Sequence, residues 1–179
     1  MQKQKRKQWR VWTAKTILVY SILTVISCCG LNYFSNRYMI GVQMLKAKCL
    51  PWVLYVIKKE PPAIIERGQL VVLPLPQQAI DLHPKVRRLR NRGFLLKIAM
   101  GLPGDHIMVK NDRLYINGHV WGRLWLLHNL QKPKGFFDRD LTIKEGEVFV
   151  LGTLGDSYDS RYWGPIKQTM LKGTARVLF

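Results

Sequence analysis

Residues 16–34 (TILVYSILTVISCCGLNYF) carry no charge, and they follow a stretch, residues 1–15, with Lys3, Lys5, Arg6, Lys7, Arg10 and Lys15 and no acid. As a helix at about 1.5 Å per residue the uncharged run reaches roughly 28 Å, close to the hydrocarbon thickness of about 30 Å. The basic flank predicts that its N-terminal end stays inside and that residues from about 35 onward lie outside. Two other fates fit the same residues. A cleavable signal peptide is one, although the run is long for an h-region and lacks a clear A-x-A site. The other is a lipoprotein box at Val25-Ile26-Ser27-Cys28, which would lipidate Cys28 after cleavage. In each case the main domain lies outside the cytoplasm. The favoured division is a basic cytoplasmic tail (1–15), a transmembrane anchor (16–34) and an extracytoplasmic domain (35–179).

That placement decides how charge and cysteine read. The chain of 179 residues has 29 Lys+Arg against 11 Asp+Glu, a formal net charge of +18. Such an excess ordinarily points to nucleic acid or an anionic membrane. The compartment and the lack of a recognition motif disfavour nucleic acid, leaving the lipid bilayer as the expected partner. Three cysteines exclude a disulfide-dense scaffold, and neither paired CxxC motifs nor HExxH is present, so no metal or other cofactor is expected. Cys28 and Cys29 fall inside the apolar run, which leaves Cys49 alone in the outer domain. An odd thiol there is either a buried structural residue or a reactive one.

The outer domain reads as strands. Residues 53–57, 70–73, 94–100, 106–110, 113–116, 148–151 and 174–178 are aliphatic or β-branched runs of strand length. Asn111-Asp112 and Asn117-Gly118 between them fit tight hairpin turns. No long amphipathic helical period follows residue 40. The expected fold is mainly β, an antiparallel domain closed or nearly so, tethered by one N-terminal transmembrane helix. Residues 80–92, with Lys85, Arg87, Arg88, Arg90 and Arg92 against Asp81, are expected as an exposed basic loop. Residues 121–141, with Trp121, Trp125, Phe136 and Phe137, are expected as a small insertion that forms a second apolar cluster.

One cation stands in the wrong place. Phe94-Leu95-Leu96-Lys97-Ile98-Ala99-Met100 is an apolar run, and on a strand Lys97 shares its face with Leu95 and Ala99. Burial disfavours the charged form of an amine and leaves a base. The alternative is a lysine that points to solvent from an edge strand, blunting edge pairing.

Gly101-Leu102-Pro103-Gly104-Asp105 follows directly, and Pro103-Gly104 suits a turn with positive φ at glycine. Further on comes Ser157-Tyr158-Asp159-Ser160-Arg161-Tyr162-Trp163-Gly164-Pro165. These two blocks, in this order, resemble the S26 signal peptidases, in which a lysine-base strand runs into GLPGD and an S-x-D-S-R-Y-x-G segment follows. The resemblance implies that Lys97 is the general base, that Ser157 orients its amine, and that Asp159 and Arg161 form a supporting ion pair. Ile98 stands where an arginine is common. Residues 152–156 (GTLGD) depart from the usual G-D-N-R-D-N wording and are one residue shorter.

Cys49-Leu50-Pro51-Trp52-Val53-Leu54-Tyr55 resembles the S-x-P-x-G-L-Y pattern of the TraF-like conjugative-transfer branch, with cysteine for the nucleophilic serine and Val53 for glycine. The resemblance implies a Cys49/Lys97 dyad. Ala47 sits where a hydroxyl residue commonly serves the oxyanion hole, and loss of such a donor costs about 2.7–4 kcal/mol of transition-state stabilisation. A thiol is a far stronger acid than a serine hydroxyl, so it asks less of its base. It would form a thioester, which favours attack by amines over water. The function implied is processing of an exported or membrane-inserted precursor, a conjugative pilin, at the bacterial inner membrane, ending either in hydrolysis or in acyl transfer to an amine that cyclises the product. The alternative is a non-catalytic S26-like binding or assembly factor that keeps the β scaffold without turnover.

Overall fold

The computed structural model describes residues 2–42, 49–87 and 93–178, with side chains from residue 13 onward. Met1–Tyr38 and Met39–Phe179 form two compact units.

The first unit is one helix, α1 (Gln2–Arg37). Within it Thr13–Arg37 is long and apolar enough to cross a membrane. Ile17, Leu18, Val19, Ile22, Leu23, Val25 and Ile26 are all exposed, which suits a helix whose apolar side chains face lipid. The hydroxyls inside the run are satisfied locally: Ser21 Oγ donates to the Ile17 carbonyl and Thr24 Oγ1 to the Tyr20 carbonyl, both at 2.8 Å.

The second unit is built on two antiparallel sheets. Eleven strands are described: β1 (Tyr38–Val42), β2 (Leu54–Lys58), β3 (Leu70–Leu73), β4 (Leu95–Gly101), β5 (His106–Lys110), β6 (Arg113–Ile116), β7 (His119–Arg123), β8 (Arg139–Thr142), β9 (Glu147–Leu151), β10 (Ile166–Lys167) and β11 (Gly173–Val177). One sheet has the order β1-β2-β11-β3-β4-β9-β10 and the other β7-β6-β5-β8. The mainly antiparallel β class expected from the strand pattern is what the chain adopts. Its strands divide between two sheets.

The hairpin chemistry is local. Asn111 (φ 52°) and Asp112 (φ 59°), and likewise Asn117 (φ 52°) and Gly118 (φ 81°), hold the paired left-handed geometry of a two-residue hairpin turn. The apolar runs of β3 and β4 sit in the middle of the larger sheet. Val71 pairs with Lys97 and Val72 with Leu96, while β9 covers the other side of β4 through Ile98–Leu151 and Ala99–Val150. Val71, Leu73, Ala99, Val148 and Val150 form a core on one face, and Leu50, Tyr55, Ile57, Val72 and Ile98 form another on the opposite face. The smaller sheet packs Ile107, Val109 and Leu114 with Phe149, Leu151 and Tyr162 in a third cluster.

Two expectations about loops change. Ile80 is not part of an exposed loop: it lies on the short helix α2 (Gln77–Leu82), where it and Ala79 are buried against Leu73 and Trp163. Pro76 stands at the N-cap of α2 in extended geometry, a start signal followed by only six helical residues before the charge run. Lys85 and Arg87 are exposed, while Arg88, Arg90 and Arg92 lie outside the described residues. In 121–141, residues 121–123 and 139–141 belong to β7 and β8 and pair with β6 and β5. The turns between them bury Leu124, Leu130 and Phe137 in the third core cluster.

Candidate active site

Lys97 is 0 % exposed, among the largest fully buried side chains of the chain. Its strand is central rather than at an edge, so the solvent-facing alternative does not arise. Antiparallel pairing carries the register one step past Ile98–Leu151 and sets Lys97 opposite Gly152, where β9 ends. The Lys97 amine donates to Ser157 Oγ at 2.8 Å, and that hydroxyl is also fully buried. An amine buried among aliphatic side chains without such a partner would cost several kcal/mol, on the order of 2–7 for a polar group left unbonded. The hydroxyl satisfies it without adding a charge.

Ser157 is held by its neighbours in sequence. Asp159 caps the one-turn helix α3 (Ser160–Trp163) by accepting from the Arg161 backbone N–H at 3.1 Å. The same carboxylate accepts from the Gly152 N–H at 2.8 Å. It also takes a bidentate pair from the guanidinium, Arg161 Nε at 2.8 Å and Nη2 at 2.7 Å. Arg161 Nη2 reaches on to the carbonyls of Leu154 (3.2 Å) and Ser157 (3.4 Å). Burial alone would lower the guanidinium pKa, but the Asp159 carboxylate outweighs it and holds Arg161 above its ordinary value. This ion pair clamps both ends of the loop 152–157.

Cys49 is half-buried. Its carbonyl accepts from the Leu154 N–H at 3.3 Å. A Cβ built on Gly152 would stand 2.2 Å from Ser157 Oγ and 2.6 Å from the Cys49 carbonyl oxygen, so the Cys49 backbone lies beside the hydroxyl that holds Lys97. Only a glycine allows that approach. The Tyr55 phenol is raised above its ordinary value, mainly by burial and further by its nearness to Cys49. Tyr55 donates its hydroxyl to the Trp52 carbonyl at 2.8 Å, tying down the turn after Pro51. Ala47 lies outside the described residues.

Sequence reasoning missed a second polar centre. Asp105, the last residue of GLPGD, accepts at 2.8 Å from Arg67 Nη2 on both oxygens, at 2.7 Å from the Leu102 N–H and at 2.7 Å from Asn117 Nδ2. Arg67 Nη1 also donates to the Met100 carbonyl. Gly104 has φ 89°, the positive value that the Pro103-Gly104 turn requires. The motif therefore locks the end of β4 to the start of the smaller sheet. Its side-chain partners lie 12 and 38 residues away, so nothing in the five-residue block reveals them.

A buried amine held on a hydroxyl is an arrangement that can serve a general base. The family model for signal peptidase, peptidase S26, matches residues 11–179, and the chain belongs to that family. It is 28% identical over 191 aligned residues to signal peptidase I of Bacillus caldolyticus, covering 97% of this chain and 91% of that protein. It is 30% identical over 115 residues to the probable signal peptidase I-2 of Synechocystis sp., covering 64% of this chain; there it spans about half (48%) of the relative's length. The conjugal transfer protein TraF of Agrobacterium fabrum is 27% identical over 123 residues, 64% of this chain and 69% of that protein. The single N-terminal apolar helix fits the single-pass anchor of a signal peptidase.

Proposed function

We propose that the chain is a membrane-anchored precursor peptidase of the bacterial inner membrane, its β domain periplasmic, working through a Cys49/Lys97 dyad with Ser157 as the positioning residue. The observation that carries the reading is the buried Lys97–Ser157 hydrogen bond with the Cys49 backbone beside it. Lys97 takes the thiol proton, and Cys49 Sγ attacks the scissile carbonyl. The C–N bond breaks, Lys97 returns the proton to the leaving amine, and a thioester remains. Backbone N–H groups near Cys49 stabilise the oxyanion. Water then releases a carboxylate, or an amine attacks and forms a new amide.

The substrate in this reading is a conjugative pilin precursor that joins the site as an added strand. Support comes from the Cys49–Tyr55 wording and from the similarity to a conjugal transfer protein. Acyl transfer to the pilin's own N-terminus would close a ring. The mass of mature pilin separates the outcomes: a ring lacks the water that a linear product with a free carboxylate retains.

The second reading, a non-catalytic binding or assembly factor, draws on the cysteine in place of serine together with Ala47. Incubation of the purified full chain with precursor, followed by mapping of the acylated residue, tests the first. Acyl on Cys49, absent from Lys97→Ala, supports the dyad; no acyl-enzyme and no cleavage from a folded wild type supports the factor.

A further inference from the structure

The clamp by Asp159 and Arg161 reaches Gly152, Leu154 and Ser157 but leaves the middle of the loop to another element. Trp125, just past β7, lays its indole against Gly155. A Cβ on Gly155 would come 2.8 Å from Trp125 Cδ1 and 3.0 Å from Nε1, and its φ lies outside the left-handed region. The glycine there provides room for the indole rather than an unusual backbone.

The indole is itself fixed. The Arg123 guanidinium lies 5.3 Å from its ring centroid, a cation–π contact. The Arg123 carbonyl accepts from Arg161 Nη1 at 3.3 Å, so the same guanidinium that grips Ser157 also grips the end of β7. One residue further, the Leu126 N–H donates to the Tyr162 hydroxyl at 3.0 Å, and Leu124 is buried in the core. Yet Trp125 itself is 61% exposed. A side chain so open contributes little to the core, while its inner edge touches Gly155, which the clamp does not reach.

We propose that Trp125 is a positioning residue for the Lys97–Ser157 pair, acting through Gly155. The inference rests on the peptidase reading of Cys49, Lys97 and Ser157. A shift of about 1 Å in a catalytic constellation costs up to about a hundredfold in rate. The test uses the full chain in detergent and compares wild type, Trp125→Ala, Trp125→Phe, Gly155→Ala and the Trp125→Ala/Gly155→Ala double variant. Two readouts are taken: precursor cleavage as kcat and KM, and the pH dependence of Cys49 alkylation by iodoacetamide, mapped on the Cys49 peptide. Trp125→Ala is expected to lower kcat about tenfold or more with KM within about twofold, and to displace the alkylation profile. Trp125→Phe, which keeps a flat ring on Gly155, is expected to restore most of both. Gly155→Ala is expected to act like Trp125→Ala and to add little in the double variant. Alkylation profiles identical in wild type and Trp125→Ala overturn the inference, whether or not the wild type cleaves. A wild type that fails to cleave, but whose alkylation profile moves in Trp125→Ala, overturns the peptidase reading and leaves the positioning role standing.

Discussion

Gly152 is where the smallest change reaches the candidate dyad. An added methyl would stand 2.2 Å from Ser157 Oγ and 2.6 Å from the Cys49 carbonyl, so either the hydroxyl or the Cys49 segment must move. Gly152→Ala is expected to reduce precursor cleavage by about a hundredfold, while overpacking costs about 1–3 kcal/mol and leaves the chain folded. Cleavage at the wild-type rate from this variant would show that Ser157 is not needed at its present distance from Lys97. Lys97→Met separates catalysis from stability in the other direction. It keeps the shape of the buried stem and removes the amine, so cleavage should vanish, while the Ser157 hydroxyl left without that partner should lower the thermal midpoint by only a few degrees. A midpoint lowered by many degrees would mean that the Lys97–Ser157 bond is a stabilising contact in its own right. The apolar run around Lys97 left a solvent-facing lysine open, and it was the resemblance of GLPGD and of the nine-residue block to signal peptidases that singled out Lys97, Ser157, Asp159 and Arg161. Gly152, Gly155 and Trp125 were not legible there, since each matters only where separate segments approach within contact distance. Asp105 stood inside a recognised motif, but its role depends on Arg67 and Asn117, which no local pattern connects to it.

The element that fixes the site is α3, a single turn whose cap and last-turn cation are each other's partners. Asp159 is fully buried and Arg161 only 3% exposed, so removing one charge strands the other. Asp159→Asn is expected to cost about 3–5 kcal/mol, read as a lowered urea midpoint, and to abolish cleavage with it. A variant that loses cleavage at unchanged midpoint would instead make Asp159 a direct participant. The β4–β5 corner carries a pH dependence of its own. Burial pushes the Asp105 carboxyl up, but the Arg67 hydrogen bonds, the Leu102 N–H and the Asn117 amide outweigh it and hold the group below its ordinary range. A carboxylate depressed in the folded state contributes stability above its unfolded value, about 3.9, and loses it as pH falls through the folded value. Asp105→Asn should therefore flatten the fall in stability below about pH 4, and equal slopes for the two proteins would exclude this role. At this scale the sequence was readable wherever burial imposes a pattern. The apolar runs of β2, β3, β4, β5, β6, β9 and β11 were all visible, with ends displaced by a residue at most. The strands β7 and β8 were not, because HVWGR is exposed along most of its length and RDLT is half charged. They are strands because β6 and β5 offer them backbone partners, a cause that lies outside their own residues.

Charge and hydropathy act over the whole chain, and there they make a claim about direction. Six cations precede the apolar run, yet the residues beyond it remain strongly basic, so the two flanks compete. The competition is unequal. Only charges in short segments near the span govern insertion, whereas a long folded domain crosses largely regardless of its charge. Residues 3–15 are such a short segment, and the β domain is such a long one. The expected topology thus leaves Cys49 on the outer side and Cys28 and Cys29 within the span, which gives the chain its own reporters. In a Cys28→Ser/Cys29→Ser variant expressed in spheroplasts, a membrane-impermeant maleimide is expected to label Cys49 without lysis. Labelling that appears only after the membrane is opened would reverse the orientation and remove the β domain from the compartment where an exported precursor emerges. Labelling blocked by prior incubation with precursor would add a further link, since the thiol reached from outside would then be the one the substrate covers.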